Sequence, residues 1–223
     1  SDVKGIYPHD SAAFTQGFLF EKDHFFEGTG LYGVSSLRKV APTSGEVLTS
    51  VPLPPHLFGE GIALAASRIY QLTWRSHEVR VYDLDPLRLS ANRFWPYQGW
   101  GITSYNEFLV ISDGTDTLFF VDPARFTIKS KVVVREGDQP LPRLNELETV
   151  DDYILANVWQ TPRIAVIIPA TGQVAAWIDL ATIVMKEPAG VANGIAWDQE
   201  RRRLFVTGKR WSHVYEVSLR AFP

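Results

Sequence analysis

Glu60 lies between two glycines in Phe58-Gly59-Glu60-Gly61-Ile62, and four segments of similar form recur along the chain. They are Phe14-Thr15-Gln16-Gly17-Phe18, Gln98-Gly99-Trp100-Gly101-Ile102, Leu144-Asn145-Glu146-Leu147-Glu148 and Ala192-Asn193-Gly194-Ile195-Ala196. A carboxyl group in such a setting, beside Phe58 and facing a channel, is partly desolvated, which raises its pKa. That makes Glu60 a candidate general acid/base. The matching positions elsewhere hold Gln16, Trp100, Asn145 and Asn193. These residues suit either a neutral polar pocket or the bridging of adjacent strands.

The spacing says what positions them. Gly17, Gly61, Gly101, Leu147 and Gly194 are 40 to 47 residues apart, the period of a β-propeller blade. A propeller gathers the starts of its innermost strands at one mouth of a central channel. An all-β, five-bladed propeller is therefore expected, as a single domain over residues 1–223. The clearest predicted strands are His24–Thr29, Ile69–Thr73, Glu78–Asp83, Phe108–Ser112, Tyr153–Asn157, Val174–Asp179 and Arg203–Thr207. The last blade supplies only three strands. The stretch Val3–Tyr7 is expected to complete it from the N-terminus, which removes an open edge. A short helix or turn is expected over Leu180–Lys186. A sandwich or solenoid would not need the same polar-Gly segment at the head of each sheet.

Composition narrows the chemistry. The chain has 223 residues, 45% hydrophobic, enough for a packed core, and a net charge of −3 with no basic run that would argue for nucleic acid. No apolar run reaches the roughly 18 residues of a membrane helix. There is no cysteine, so neither disulfides nor a thiol nucleophile are available. His9, His24, His56, His77 and His213 form no metal-ligand spacing, and neither a metal site nor a cofactor is expected. Asp113-Gly114-Thr115-Asp116 reads as an Asx-turn hairpin in preference to a calcium loop. No Gly-x-Ser-x-Gly elbow occurs. The absence of Asn-x-Ser/Thr fits a bacterial product. The chain begins Ser1-Asp2-Val3 with no apolar leader, as a processed or trimmed chain would.

The segments Phe14-Thr15-Gln16-Gly17, Ser35-Ser36-Leu37-Arg38, Phe58-Gly59-Glu60-Gly61, Tyr70-Gln71-Leu72-Thr73-Trp74, Leu144-Asn145-Glu146-Leu147-Glu148, Ala156-Asn157-Val158-Trp159 and Leu204-Phe205-Val206-Thr207-Gly208-Lys209 closely resemble the plant and bacterial glutamine cyclotransferases. The resemblance runs from Gly5 to Val217. It implies a propeller that converts the N-terminal glutamine of a peptide or protein into pyroglutamate and releases ammonia, an acyl transfer of the aminoacyltransferase class. It also implies a metal-independent monomer acting on peptides in the periplasm or outside the cell. Where the family usually has Gly-Glu-Gly-Trp-Gly, this chain has Tyr97-Gln98-Gly99-Trp100-Gly101, which removes a carboxylate. Ser212-His213 stands where a Pro-Lys pair is common.

Under this resemblance Glu60 moves the proton. Asn145 and the indole N–H of Trp159 suit the substrate carboxamide oxygen, and the Gln16 amide oxygen suits its α-amine. Lys209 serves the developing oxyanion or partners Glu60. Phe14, Trp74, Trp100 and Trp159 wall the pocket. Two other readings share the fold. One is a non-catalytic propeller that binds peptides or proteins. The other is a metal- or quinone-dependent propeller enzyme.

Overall fold

The computed structural model describes residues 2–188 and 190–218; both ends of the expected 1–223 domain fall outside them. In chain order the strands are β1 (Val3–Pro8), β2 (Thr15–Glu21), β3 (His24–Thr29), β4 (Ser36–Val40), β5 (Val47–Pro52), β6 (Gly59–Ala65), β7 (Arg68–Thr73), β8 (Glu78–Leu84), β9 (Leu87–Phe94), β10 (Ile102–Tyr105), β11 (Phe108–Ser112), β12 (Thr117–Asp122), β13 (Thr127–Val133), β14 (Arg135–Glu136), β15 (Gln139–Pro140), β16 (Leu144–Val150), β17 (Tyr153–Val158), β18 (Arg163–Ile167), β19 (Val174–Asp179), β20 (Ala192–Asp198), β21 (Arg203–Gly208) and β22 (His213–Val217). One helical turn, α1 (Ala181–Val184), precedes the last blade.

Five four-stranded antiparallel sheets form the blades of a five-bladed propeller. The last has the order β1-β22-β21-β20, so the N-terminal strand is its outer strand, paired through Val3↔Val217 to Pro8↔His213. The small ribbon β14–β15 follows the outer strand of the third blade.

Innermost strands β2, β6, β10, β16 and β20 contact one another in a closed ring. They are largely buried, whereas the outer strand β5 is almost wholly exposed. Side chains alternate between the two faces of each sheet, so every blade feeds the two cores that flank it. Phe25 packs with Phe205 between the last and first blades, while its neighbour Phe26 packs with Ile62 between the first and second. Val110 and Ile111 divide in the same way between the third blade's two neighbours.

The repeated glycines have a direct cause. A Cβ on Gly17 would strike Ile62 N and the Gly61 backbone of the next blade. One on Gly61 would lie 2.7 Å from Trp100 O and 2.8 Å from Gly101 Cα, and one on Gly101 would strike Asn145 O. Backbone touches backbone here, and Gly61 N–H donates to Trp100 O at 2.8 Å. The fourth segment has Leu147 instead of glycine. There Glu146 makes the joint: its carboxylate accepts Phe18 N–H at 3.2 Å and Ile195 N–H at 2.9 Å, tying the fourth, fifth and first blades together.

A buried polar clamp secures the ring closure. The His9 ring bonds Trp211 O (2.7 Å) and Glu27 (2.9 Å) through its two nitrogens. Glu27 also accepts from the Thr15 hydroxyl and from Arg38, which reaches Asp10 as well. The Glu27 carboxyl is buried, which alone would raise its pKa, but His9 and Arg38 hold it down to about 2. At Asp113-Gly114-Thr115, Asp113 Oδ1 accepts the Thr115 N–H and hydroxyl, which is the Asx turn.

Candidate active site

The strands place the expected residues at one mouth of the channel in two tiers. Gln16, Glu60, Asn145 and Asn193 stand at the starts of inner strands β2, β6, β16 and β20. Trp100 holds the corresponding place just before β10. The second tier comes from residues that follow the second strand of a blade. Trp74 N–H donates to Phe58 O (3.0 Å), Trp159 N–H to Arg143 O (2.9 Å) and Lys209 N–H to Val191 O (2.9 Å). Gly30 N–H makes the same bond to Phe14 O in the first blade. Gly30, Trp74, Trp159 and Lys209 are thus equivalent positions aimed at one mouth. Glycine suits the first because the Phe58 ring occupies the space a Cβ would need.

Glu60 is at the centre. It is 4% exposed, and burial pushes its carboxyl well above the usual range, with the Lys209 ammonium pulling it partly back. Lys209 is also buried, and burial lowers its pKa while Glu60 opposes the shift. Gln16 Nε2 donates to Glu60 Oε1 at 3.1 Å. Asn193 Nδ2 donates to Thr15 O (3.0 Å) and to Gln16 Oε1 (3.2 Å). This chain sets the amide orientations: a backbone carbonyl can only accept, so Asn193 must turn its Nδ2 to it. Gln16 then presents nitrogen to Glu60. The Gln16 oxygen, expected to meet a substrate amine, is already engaged by Asn193 and retains one lone pair.

Asn145 makes no side-chain hydrogen bond among the described residues, and its Oδ1 is buried. Its side chain is uncommitted in a polar ring that is otherwise tied together. The aromatic wall is made of two runs of rings. Phe14 meets Phe58 (centroids 6.1 Å), Phe58 meets Trp74 (5.6 Å), and Trp100 meets Trp159 (5.6 Å), all edge to face. The Lys209 Nζ lies 4.7 Å from the Phe14 ring centroid, a cation–π arrangement that holds the ammonium near Glu60.

Two contributors stood outside the sequence-derived site. Phe58 joins Phe14 to Trp74, and its correspondence to Phe14, each two residues before the polar position, was the available signal. Gln98 was noted only as a lost carboxylate. Its Oε1 accepts both the Trp74 (2.9 Å) and Trp100 (3.1 Å) indole N–H groups. Its backbone carbonyl accepts from the fully buried Trp95 at 3.1 Å, so the loop is anchored. A neutral amide therefore joins two wall tryptophans at the place where the family usually has a carboxylate.

A cavity of about 620 Å³ opens at the opposite mouth, lined by Glu148, Thr149, Thr103 and Arg201 among others. It does not include Glu60. Among the described residues no group of three or more His, Cys, Asp or Glu is arranged to hold a metal ion. No helix among them is long and apolar enough to cross a membrane.

Comparisons with known proteins identify the family. Over 98% of this chain and 71% of the relative's length, it is 39% identical to a glutaminyl-peptide cyclotransferase of Arabidopsis thaliana. The crystal structure of Myxococcus xanthus glutaminyl cyclase superposes with a TM-score of 0.92 at 34% identity, covering 97% of this chain and 95% of that one. The WD40 domain of Neurospora crassa Pan2 superposes with a TM-score of 0.54 at 12% identity over 93% of this chain and 76% of that one; this likeness concerns fold alone. The profile of the glutamine cyclotransferase family matches residues 1–219, and the chain belongs to that family.

Proposed function

We propose that this chain is a glutaminyl-peptide cyclotransferase, which closes the N-terminal glutamine of a peptide or protein into pyroglutamate and releases ammonia. The observation that carries this reading is the buried Glu60 carboxyl, its pKa raised, set between Gln16 and the Lys209 ammonium under an aromatic wall. The family and the named relatives support it.

The reaction is intramolecular. The α-amine attacks the side-chain carboxamide carbon, a C–N bond forms, and the C–NH2 bond breaks. An α-amine has a pKa of about 7.7–8.0, so a useful fraction is neutral near pH 8. Glu60 takes a proton from the attacking nitrogen and delivers it to the leaving one. A carboxyl raised toward neutrality suits both directions, and such transfer contributes about 10²–10⁴-fold. Asn145 and the Trp159 indole donate to the carboxamide oxygen as it gains charge, and Lys209 supplies positive charge beside it. Phe14, Phe58, Trp74 and Trp100 hold the side chain curled, which supplies proximity, and exclude water. Gln16 fixes Glu60 and offers its remaining lone pair to the α-amine. As part of the same proposal, the chain works as a monomer in the periplasm or outside the cell, without a metal or cofactor, as the family resemblance implies.

The test is ammonia release from a Gln-initiated dipeptide, with and without EDTA, by the native chain and by Glu60→Gln. Chelator-resistant release that falls at least about 100-fold in the variant is expected. A folded native chain that binds such peptides and releases no ammonia would make it a peptide-binding propeller instead.

A further inference from the structure

Charge is divided between the two mouths. At the opposite mouth, Arg201 pairs with Asp23 and Asp198, Arg203 with Asp198, and Arg202 with Asp151. At the Glu60 mouth the exposed arginines have no carboxylate partner among the described residues. The Arg75 guanidinium lies 3.9 Å from the Trp74 ring centroid, and Arg210 lies 5.9 Å from that of Phe14. Arg143 stands where Phe14 and Phe58 stand in their blades, its carbonyl bonded to Trp159 N–H. The Arg75 and Arg210 guanidinium groups are therefore set against wall rings and the Arg143 backbone is bonded to a third wall residue, on three different blades. Asp113 is next to Gly114, which packs against the Trp100 ring, and its Oδ1 is engaged by Thr115. Gln98 adds no charge where it joins two of the tryptophans. This unpaired positive rim belongs to a chain with a net charge of −3.

We propose that the rim selects peptides that carry an anionic group within one or two residues of the N-terminal glutamine. The inference rests on the cyclotransferase reading and names its substrate class. The group is a carboxylate, either of an Asp or Glu side chain or of a short peptide's own C-terminus. An extended chain advances about 3.3–3.6 Å per residue, so the second and third residues leave the buried site at the level of its aromatic rim. Arginine suits the task because its planar fork binds carboxylates while its face stays stacked on an aromatic ring.

The test compares kcat/KM for ammonia release from C-terminally amidated Gln-Glu, Gln-Ala and Gln-Lys, and from Gln-Ala with a free C-terminus. Each is measured at about 0.01 M and about 0.15 M salt, where the Debye length falls from about 30 Å to about 8 Å. Expected is a preference for Gln-Glu over Gln-Lys of about five- to twentyfold at low salt, carried mainly by KM and shrinking at the higher salt. Free-acid Gln-Ala exceeds its amide if a terminal carboxylate reaches the rim; Gln-Glu amide alone gains if only a side chain does. In the Arg75→Gln/Arg210→Gln double variant the preference falls below about threefold. Gln98→Glu, which keeps an acceptor for both indoles, reduces it in the same direction. Turnover of all four peptides at equal kcat/KM, or a preference unchanged in the double variant, overturns this proposal alone. A folded native chain that releases ammonia from none of them overturns the cyclotransferase reading and this proposal with it.

Discussion

Replacing Asn193 with Leu tests whether the amide chain from Thr15 through Asn193 and Gln16 orients the proton-transfer group. Asn193 is 1% exposed. Its Nδ2 holds Thr15 O at 3.0 Å and Gln16 Oε1 at 3.2 Å, while its own Oδ1 is buried without a partner. Leu has a similar size and neither donor. Two buried oxygens would lose a partner, at about 1–3 kcal/mol each, and removing the orphaned Oδ1 recovers about the same for one group. The net loss is about 1–3 kcal/mol. A chain of this size loses about 2–4 °C per kcal/mol, so Tm falls by about 2–12 °C. The chemistry suffers more. Gln16, no longer held, can turn its oxygen toward Glu60, which disfavours the carboxylate and raises the Glu60 pKa further. A displaced catalytic group costs up to about 100-fold in rate. The expected result is a kcat about 10- to 100-fold lower, with the Glu60 limb of the pH–rate profile moved upward and KM little changed. Thermal melting and ammonia release across pH measure both effects. A variant with native kcat and a native pH profile would refute the reasoning, whatever its Tm.

Three further perturbations separate the parts. Gln98→Leu leaves the Trp74 and Trp100 indoles without their shared acceptor; it should raise KM by up to about 5- to 150-fold, since each of the two lost hydrogen bonds is worth about 0.5–1.5 kcal/mol, and an unchanged KM would remove Gln98 from the wall. Gly61→Ala places a methyl 2.7 Å from Trp100 O and 2.8 Å from Gly101 Cα; with only backbone to give way, stability should drop by about 1–3 kcal/mol in urea melts, and a neutral result would mean that the inner ring yields freely. Burial raises the Glu148 carboxyl from 4.5 to about 8, against the opposing Trp197 N–H. Folding therefore takes up a proton, and the stability so gained is complete below pH 4.5 and lost as pH rises through 8. Glu148→Gln should lessen that decline by up to about 1.4 kcal/mol per pH unit, and an unchanged slope would contradict the shift.

The repeat was legible because a physical necessity wrote it. Gly17, Gly61 and Gly101 recur where an inner strand touches the backbone of the next blade, so their period counted the blades, and the residue before each, Gln16, Glu60 or Trp100, marked the mouth. The fourth segment hid the same joint in different chemistry. Leu147 breaks the glycine pattern, and the Glu146 carboxylate bridges to Phe18 and Ile195, 128 and 49 residues away. Local spacing cannot reveal a bond across that distance. Trp74 and Trp159 lie shortly after repeat-opening segments and Lys209 rests on the resemblance, although all three share one backbone position. With a glycine and a lysine beside two tryptophans, the set has no common side chain, and only the hydrogen bond from each N–H exposes the equivalence. Gln98 shows the opposite error. Compared with a pattern it was a missing charge, whereas in space its oxygen has two partners and its neutrality adds no countercharge near Arg75, which stacks on one of them. A substitution at a shared acceptor can keep the scaffold and change the field, so the substrate charge preferred by this mouth, more than its rate, is where that difference should be felt.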